Sequence, residues 1–172
     1  MPDPTPRPAP WDSPTGAHPE PVPLVSQADL VNPLLKVSDV MSADPRTCSP
    51  YSTVIEAVLI FRDADCGVIP VTEDGKPVGV LTDRDVALAL ADHEDDLAGA
   101  AVGEIMSKDV VTIEEDESLE VAVDRLGGEG LRRLLVVASS GSLRGILSWI
   151  DLVPHLSERG VGHVVSRIIA HR

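Results

Sequence analysis

Aromatic side chains are nearly missing from this chain: 172 residues include two tryptophans, one tyrosine and one phenylalanine. The apolar fraction of 43% is ordinary, so a core is expected, but Val, Leu, Ile and Ala must fill it. Positive charge is also scarce. Fourteen Lys and Arg face 28 Asp and Glu, a net charge of −14, which argues against a binder of nucleic-acid backbones and against an anionic membrane surface. A local basic spot can still hold a small anion. Cysteine is limited to Cys48 and Cys66, with no CxxC pair. No basic-then-apolar secretory pattern opens the chain, and no apolar run reaches the length of a membrane span. Free thiols in a reducing compartment follow, and a cytoplasmic location is expected. The five histidines (His18, His93, His155, His163, His171) lack HxH or HxxxH spacing, so no metal site is expected. No Ser-His-acid set, paired-carboxylate arrangement or P-loop is present. Neither catalysis nor a cofactor is expected.

Proline is abundant in one place only. Ten of the fifteen prolines lie within residues 1–33, where they remove backbone donors and block both helix and central strand. Residues 1–35 therefore read as a Pro-rich disordered arm, with Val22, Leu24, Val25, Leu30 and Val31 able to dock on the rest of the chain.

From Val37 onward the chain repeats itself. VSDVMSADPRT (37–47) aligns with VGEIMSKDVVT (102–112) at an offset of 65, and Val, Met, Ser, Asp and Thr recur in place. GVIPVT aligns with RRLLVV, and DGKPVGVLTDRDV with SGSLRGILSWIDL. Two copies of one unit are expected to pack on each other, since a single copy cannot bury its apolar face. Each copy reads as β-α-β-β-α. A helix spans Thr53 to Ala64 in the first and Ser118 to Leu126 in the second, where Leu119, Ala122, Val123 and Leu126 make one apolar stripe. Two short strands come next, joined by EDGK or SSGS, and a last helix starts just after Thr82 or Ser148. The units divide as 36–98 and 99–158, leaving a C-terminal segment at 159–172. The fold class is α+β.

The line repeated in both copies is glycine, two apolar residues, a hydroxyl residue, two variable residues and aspartate: GVLTDRD and GILSWID. A strand ends, a hydroxyl follows and a helix begins, so free N–H groups face a bound anion. Asp85 or Asp151 lies one turn on and can accept from both hydroxyls of a ribose. Gly79 and Gly145 mark a close backbone approach. The same spacing is that of a helix capping box, and Thr53 with Glu56 form one where no ligand is expected. Capping and binding do not exclude each other. The acidic runs 92–96 and 114–117 read as solvated, and Cys48 and Cys66 as structural thiols near the clefts.

These residues together — VMS and IMS, Thr47 and Thr112, GVIPV, and the two glycine-to-aspartate lines — resemble a pair of CBS domains, the module named after cystathionine β-synthase, over about residues 36–157. The resemblance implies a disc-like, pseudo-twofold module with two clefts that bind AMP, ADP, ATP or S-adenosylmethionine as a regulatory ligand. It implies a homodimer joined through the helices at 53–64 and after Thr82, both apolar nearly all round, and an unidentified protein partner. No catalytic barrel, membrane span or DNA-binding module is expected beside the repeats. The other reading is a structural or partner-binding pair with empty or degenerate clefts. Carried over residue by residue, one cleft would combine Thr82, Arg84 and Asp85 with Thr112, Arg132, Arg133 and Leu134. The other would combine Ser148 and Asp151 with Thr47, Gly67, Val68, Ile69 and Pro70. The arginines would equip the Asp85 cleft for phosphate, while Trp149 and Ile150 depart from that pattern in the other.

The arm's composition cannot support a core. Deleting residues 1–30 is expected to leave the thermal midpoint of unfolding within about 2 °C of the full chain, as surface changes do. Differential scanning fluorimetry checks this, and a large drop would show that the arm is docked.

Overall fold

The computed structural model describes residues 31–92 and 96–170. The expectations for residues 1–30, including the docking of Val22, Leu24, Val25 and Leu30, lie outside them. Val31 does dock: it is buried, and it bridges Leu156. The ordered module therefore takes in residues placed in the arm by the boundary at 35.

The elements run β1 (Ser42–Ala43), α1 (Val54–Ala64), β2 (Val68–Glu73), β3 (Lys76–Thr82), α2 (Asp83–Asp92), α3 (Val102–Ile105), β4 (Thr112–Glu114), α4 (Leu119–Gly128), β5 (Arg133–Val137), β6 (Leu143–Ser148), α5 (Trp149–Leu152) and α6 (Glu158–Ala170). Helix α1 starts where its capping box sets it. The Thr53 N–H donates to Glu56 Oε2 (2.8 Å), and the Glu56 N–H donates to Thr53 Oγ1 (3.4 Å). The β2–β3 hairpin turns at Asp74–Gly75, both at positive φ, as a two-residue turn between right-twisted strands requires. Each hairpin carries a register shift at the same point of the repeat, between Val71 and Thr72 and between Val136 and Val137.

The two copies exchange their opening segments. The second sheet has the order β1-β6-β5-β4, and β1, from the first copy, pairs antiparallel with β6. In the first copy Ser107 bridges Val80 of β3 and Cys48 bridges Val71 of β2, so the same order is sketched around β2 and β3. The exchange continues along the chain. Val37 N–H donates to the carbonyl of Glu117 (2.9 Å) and Val102 N–H to that of Ser52 (2.8 Å). Val37 is buried in the core of the second copy and Val102 in that of the first.

This exchange explains the repeated glycines. A Cβ on Gly79 would lie 2.9 Å from the Ser107 carbonyl oxygen and against Met106. One on Gly145 would lie 2.8 Å from that of Ser42 and against Met41. The close backbone approach at these glycines is made by the Met-Ser of the opposite copy.

The copies differ in what covers their helices. The second core gathers Leu119, Ala122, Val123 and Leu126 of α4 with Val164 and Ile168 of α6. Gly127 lets α6 come close, since a Cβ there would sit 2.8 Å from Arg167 Nε, and Arg167 Nη1 reaches Asp124 Oδ1 at 2.9 Å. On the first copy Ile55 and Leu59 of α1 and Leu88 and Leu90 of α2 stay exposed. The 114–117 run is solvated at Glu114 and Asp116 and half-buried at Glu115 and Glu117. Glu115 meets Arg144, Asp116 meets Lys36 and Glu117 meets Arg125.

Gly145→Ala is expected to cost about 1–3 kcal/mol, because the Ser42 carbonyl cannot move without giving up the β1–β6 pairing. Urea unfolding checks this, and Gly79→Ala should behave alike. By contrast Gly162, with open space around its Cβ position, should accept alanine without loss.

Candidate functional site

The two glycine-to-aspartate lines fold as helix caps. In the first, the Thr82 N–H and hydroxyl both donate to Asp85 Oδ2 (2.8 and 2.7 Å), and the Asp85 N–H donates to Thr82 Oγ1 (3.2 Å). In the second, the Ser148 N–H donates to Asp151 Oδ2 (2.8 Å) and the Ile150 N–H to Ser148 Oγ (3.4 Å). The serine hydroxyl itself donates to the Arg132 carbonyl at 3.5 Å. Both aspartates are half-buried, and both use Oδ2 for the cap, which leaves Oδ1 out of it. The helices that follow are unequal. α2 runs ten residues, whereas α5 is a single turn of four.

Strand register decides the company of each line. Arg133 stands opposite Ser148 in the β5–β6 ladder, and Val68 opposite Thr82 in the β2–β3 ladder. Both arginines thus lie with Ser148, in their own copy. Arg133 also reaches the space between the copies, beside Val68 and Val80 of the strand pair that leads to Thr82, on the side that the resemblance assigned to the Asp85 cleft. A cavity of about 350 Å³ gathers Arg132, Arg133, Ser148 and Trp149, closed by Val165 and Ile169 of α6. Neither guanidinium has an ion-pair or hydrogen-bond partner among the described residues. A smaller cavity, about 180 Å³, lies between the copies. There Val68 and Val80 face Ser107, Asp109, Leu135 and again Arg133. Arg133 lines both.

The other expected residues are dispersed. Ile69 and Leu134 are buried in the two cores: their strands alternate, and only every second side chain can face a cleft. Pro70 is buried, and its carbonyl accepts from the Cys48 N–H (3.3 Å). Thr112 is half-buried, with its carbonyl accepting from Arg125 Nη1. Thr47 and Arg84 are exposed. Gly67 lies beside Asp83, whose Oδ2 would be 3.7 Å from a Cβ there. Cys48 is buried, and that burial, with the Glu56 charge adding to it, pushes its thiol up to about 11. It stays protonated near neutrality and is no nucleophile. Among the described residues no group of three or more His, Cys, Asp or Glu could hold a metal ion.

Trp149, noted in the second repeated line, belongs to the larger cavity, and so do residues of α6, which the repeated lines of the sequence do not place there. α6 has no counterpart in the first copy, so the repeat gave no hint of it. Its own spacing did: Val161, Val164, Val165 and Ile168 recur at i, i+3, i+4 and i+7, the stripe of a packed helix.

Chemically, the larger cavity offers two charge-assisted forks and a hydroxyl beside apolar walls, and the Asp151 carboxylate lies next to it through its bond to the Ser148 N–H. That set suits a ligand with an anionic group, a diol and an apolar body.

Known proteins share the repeat and the fold. The family model for the CBS domain matches residues 37–92 and 102–158. Protein MK0525 of Methanopyrus kandleri is 32% identical over 120 residues, covering 69% of this chain but only 61% of that protein. The CBS domain-containing protein YhcV of Bacillus subtilis is 35% identical over 133 residues, covering 77% of this chain and 94% of that one. Among solved structures, CBSX2 in complex with AMP is 27% identical with a TM-score of 0.59, over 69% of this chain and 93% of the other. The CBS domain pair of protein MJ0100, in complex with 5′-methylthioadenosine and S-adenosyl-L-methionine, is 27% identical with a TM-score of 0.61, over 71% and 95%.

Proposed function

The chain belongs to the CBS-domain family, and from that premise we propose that it is a regulatory module that senses an adenosine-containing ligand without catalysis. The ligand acts as a signal and not as a cofactor. The observation that carries the reading is the cavity in which Arg132 and Arg133 stand unpaired beside Ser148, whose helix cap is closed by Asp151. In a chain of net charge −14, two adjacent unpaired guanidinium groups form a local exception to the field, placed where a phosphate would lie. Two solved CBS proteins of similar fold hold AMP, or methylthioadenosine and S-adenosylmethionine. For this chain the arginines favour an adenine nucleotide, with Asp151 Oδ1 toward the ribose and the forks toward the phosphate. On this reading the Ser148 cleft is the phosphate-equipped one. The Thr82–Asp85 line contributes mainly a cap.

A ligand at about 100 times its dissociation constant should add about 2.7 kcal/mol of stability. A thermal-shift panel of AMP, ADP, ATP and S-adenosylmethionine is therefore expected to raise the midpoint by roughly 5 °C for at least one nucleotide. Calorimetry then locates the site. Arg133→Ala and Asp151→Asn should each weaken binding by about 10–100-fold, the worth of a charge-assisted hydrogen bond, while Asp85→Asn should leave it within about threefold. Asparagine keeps an oxygen for the cap, so the helix start survives. No response to any panel member would favour the second reading, a partner-binding pair.

We also propose a homodimer in the cytoplasm, with the first copy's helices in the interface. Ile55, Leu59, Leu88 and Leu90 are exposed together on α1 and α2, whereas α6 already covers α4. Ile55 and Leu59, four apart, share one face of α1, and exposed apolar surface of this kind suits an interaction site. The free cysteines suit a reducing compartment. Light scattering at micromolar concentration should give twice the chain mass, and Leu59→Glu with Leu88→Glu should give the monomer. A wild-type monomer would leave that face for a different protein partner.

A further inference from the structure

The C-terminal helix belongs to neither repeat, yet it bounds the 350 Å³ cavity. Two of its faces work differently. Val164 is buried against α4 and holds the helix on the second core, and Ile168 joins that core while also bordering the cavity. Val165 and Ile169 are turned toward the cavity, across from Arg132, Arg133 and Trp149. Ile169 is 56% exposed, so the core has no need of it. Its side chain therefore borders the arginine-lined cavity and is free to cover a ligand there.

We propose that α6 is a specificity-determining wall of the ligand site: Val165 and Ile169 cover the anion side of the bound nucleotide and exclude water from its contact with Arg132 and Arg133. The physical reason is dielectric. A charge-assisted hydrogen bond in a water-filled groove gains little, and the same bond against an apolar wall gains several times more. Helix position and ligand then become coupled. A ligand that binds only when α6 is docked stabilises docking by the same free energy. The contacts that hold α6 include Val164, Ile168 and the Arg167–Asp124 pair over Gly127. This makes the C-terminal helix the part of the molecule whose order reports occupancy, and it gives the second copy a device that the first lacks.

The inference rests on the reading of the Ser148 cleft as a nucleotide site, and the test separates the two. ADP binding is measured by calorimetry for the full chain and for Ile169→Glu, Ile169→Ser and His163→Glu. His163 is exposed on the same helix and does not line the cavity, so it controls for charge alone. Ile169→Glu is expected to weaken ADP by about tenfold or more and Ile169→Ser by about threefold, the scale of a lost apolar contact. His163→Glu should stay within about twofold of wild type. Unliganded melting temperatures should not change, since Ile169 is exposed. In the wild type, ADP should slow amide exchange along 158–170. Wild-type affinity for ADP with all three variants equal to it, or no change in exchange over α6, would overturn the role of the helix and leave the cleft standing. No binding of ADP, AMP or ATP to the wild type would overturn the cleft reading and this inference with it.

Discussion

Everything in this module hangs on the exchange of opening segments between the copies. Ser42 and Ala43 complete the sheet of the second copy, and Ser107 pairs with the first. Val37 and Val102 each fill the other copy's core. The contact requires a strand position without a side chain, and Gly79 and Gly145 provide it. A copy taken alone would keep its hairpin and helices but lose a strand neighbour and a core valine. The copies therefore form one cooperative unit, and its key pairings join residues about a hundred positions apart, such as Ser42 with Ile146. Such pairings form late, because loop closure must be met before the contact rewards it.

That exchange also fixes the ends of β3 and β6, where the hydroxyl-to-aspartate lines start their helices. The two lines are nearly identical as caps and unlike in surroundings. Gly67 and Val68 in one copy stand where Arg132 and Arg133 stand in the other. The first line leads into a ten-residue helix, the second into one turn, a break at Pro154 and the separate helix α6. Duplication thus kept the scaffold and let the two sites part. The binding capacity proposed here lies on the diverged side.

Much of the fold was legible because period and punctuation agree with tertiary need. Thr53 and Glu56 announced α1, the stripe Leu119, Ala122, Val123 and Leu126 announced the buried face of α4, and Asp74–Gly75 announced a hairpin. Matching Val, Met and Ser in the opening lines signalled a repeat, but the crossing of those segments was not readable. An offset of 65 aligns equivalent residues and is silent on whether they pack within a copy or between copies. The register that sets Arg133 opposite Ser148 comes from the hairpin turn, and counting back from SSGS through β5 and β6 would have shown it. Likewise strand alternation would have removed Ile69 and Leu134 from a cleft. The membership of α6 was hidden for a different reason: it has no partner in the first copy, and its stripe says that it packs without saying where.

The central claim is that a nucleotide sits at Ser148 with its phosphate on Arg132 and Arg133. A crystal structure of the full chain grown with ADP tests it most directly. The account predicts phosphate oxygens within hydrogen-bond distance of both guanidinium groups, a ribose hydroxyl on Asp151, and the side chains of Val165 and Ile169 against the ligand. Density for ADP beside Asp85 alone, with Arg132 and Arg133 turned to solvent, would contradict it.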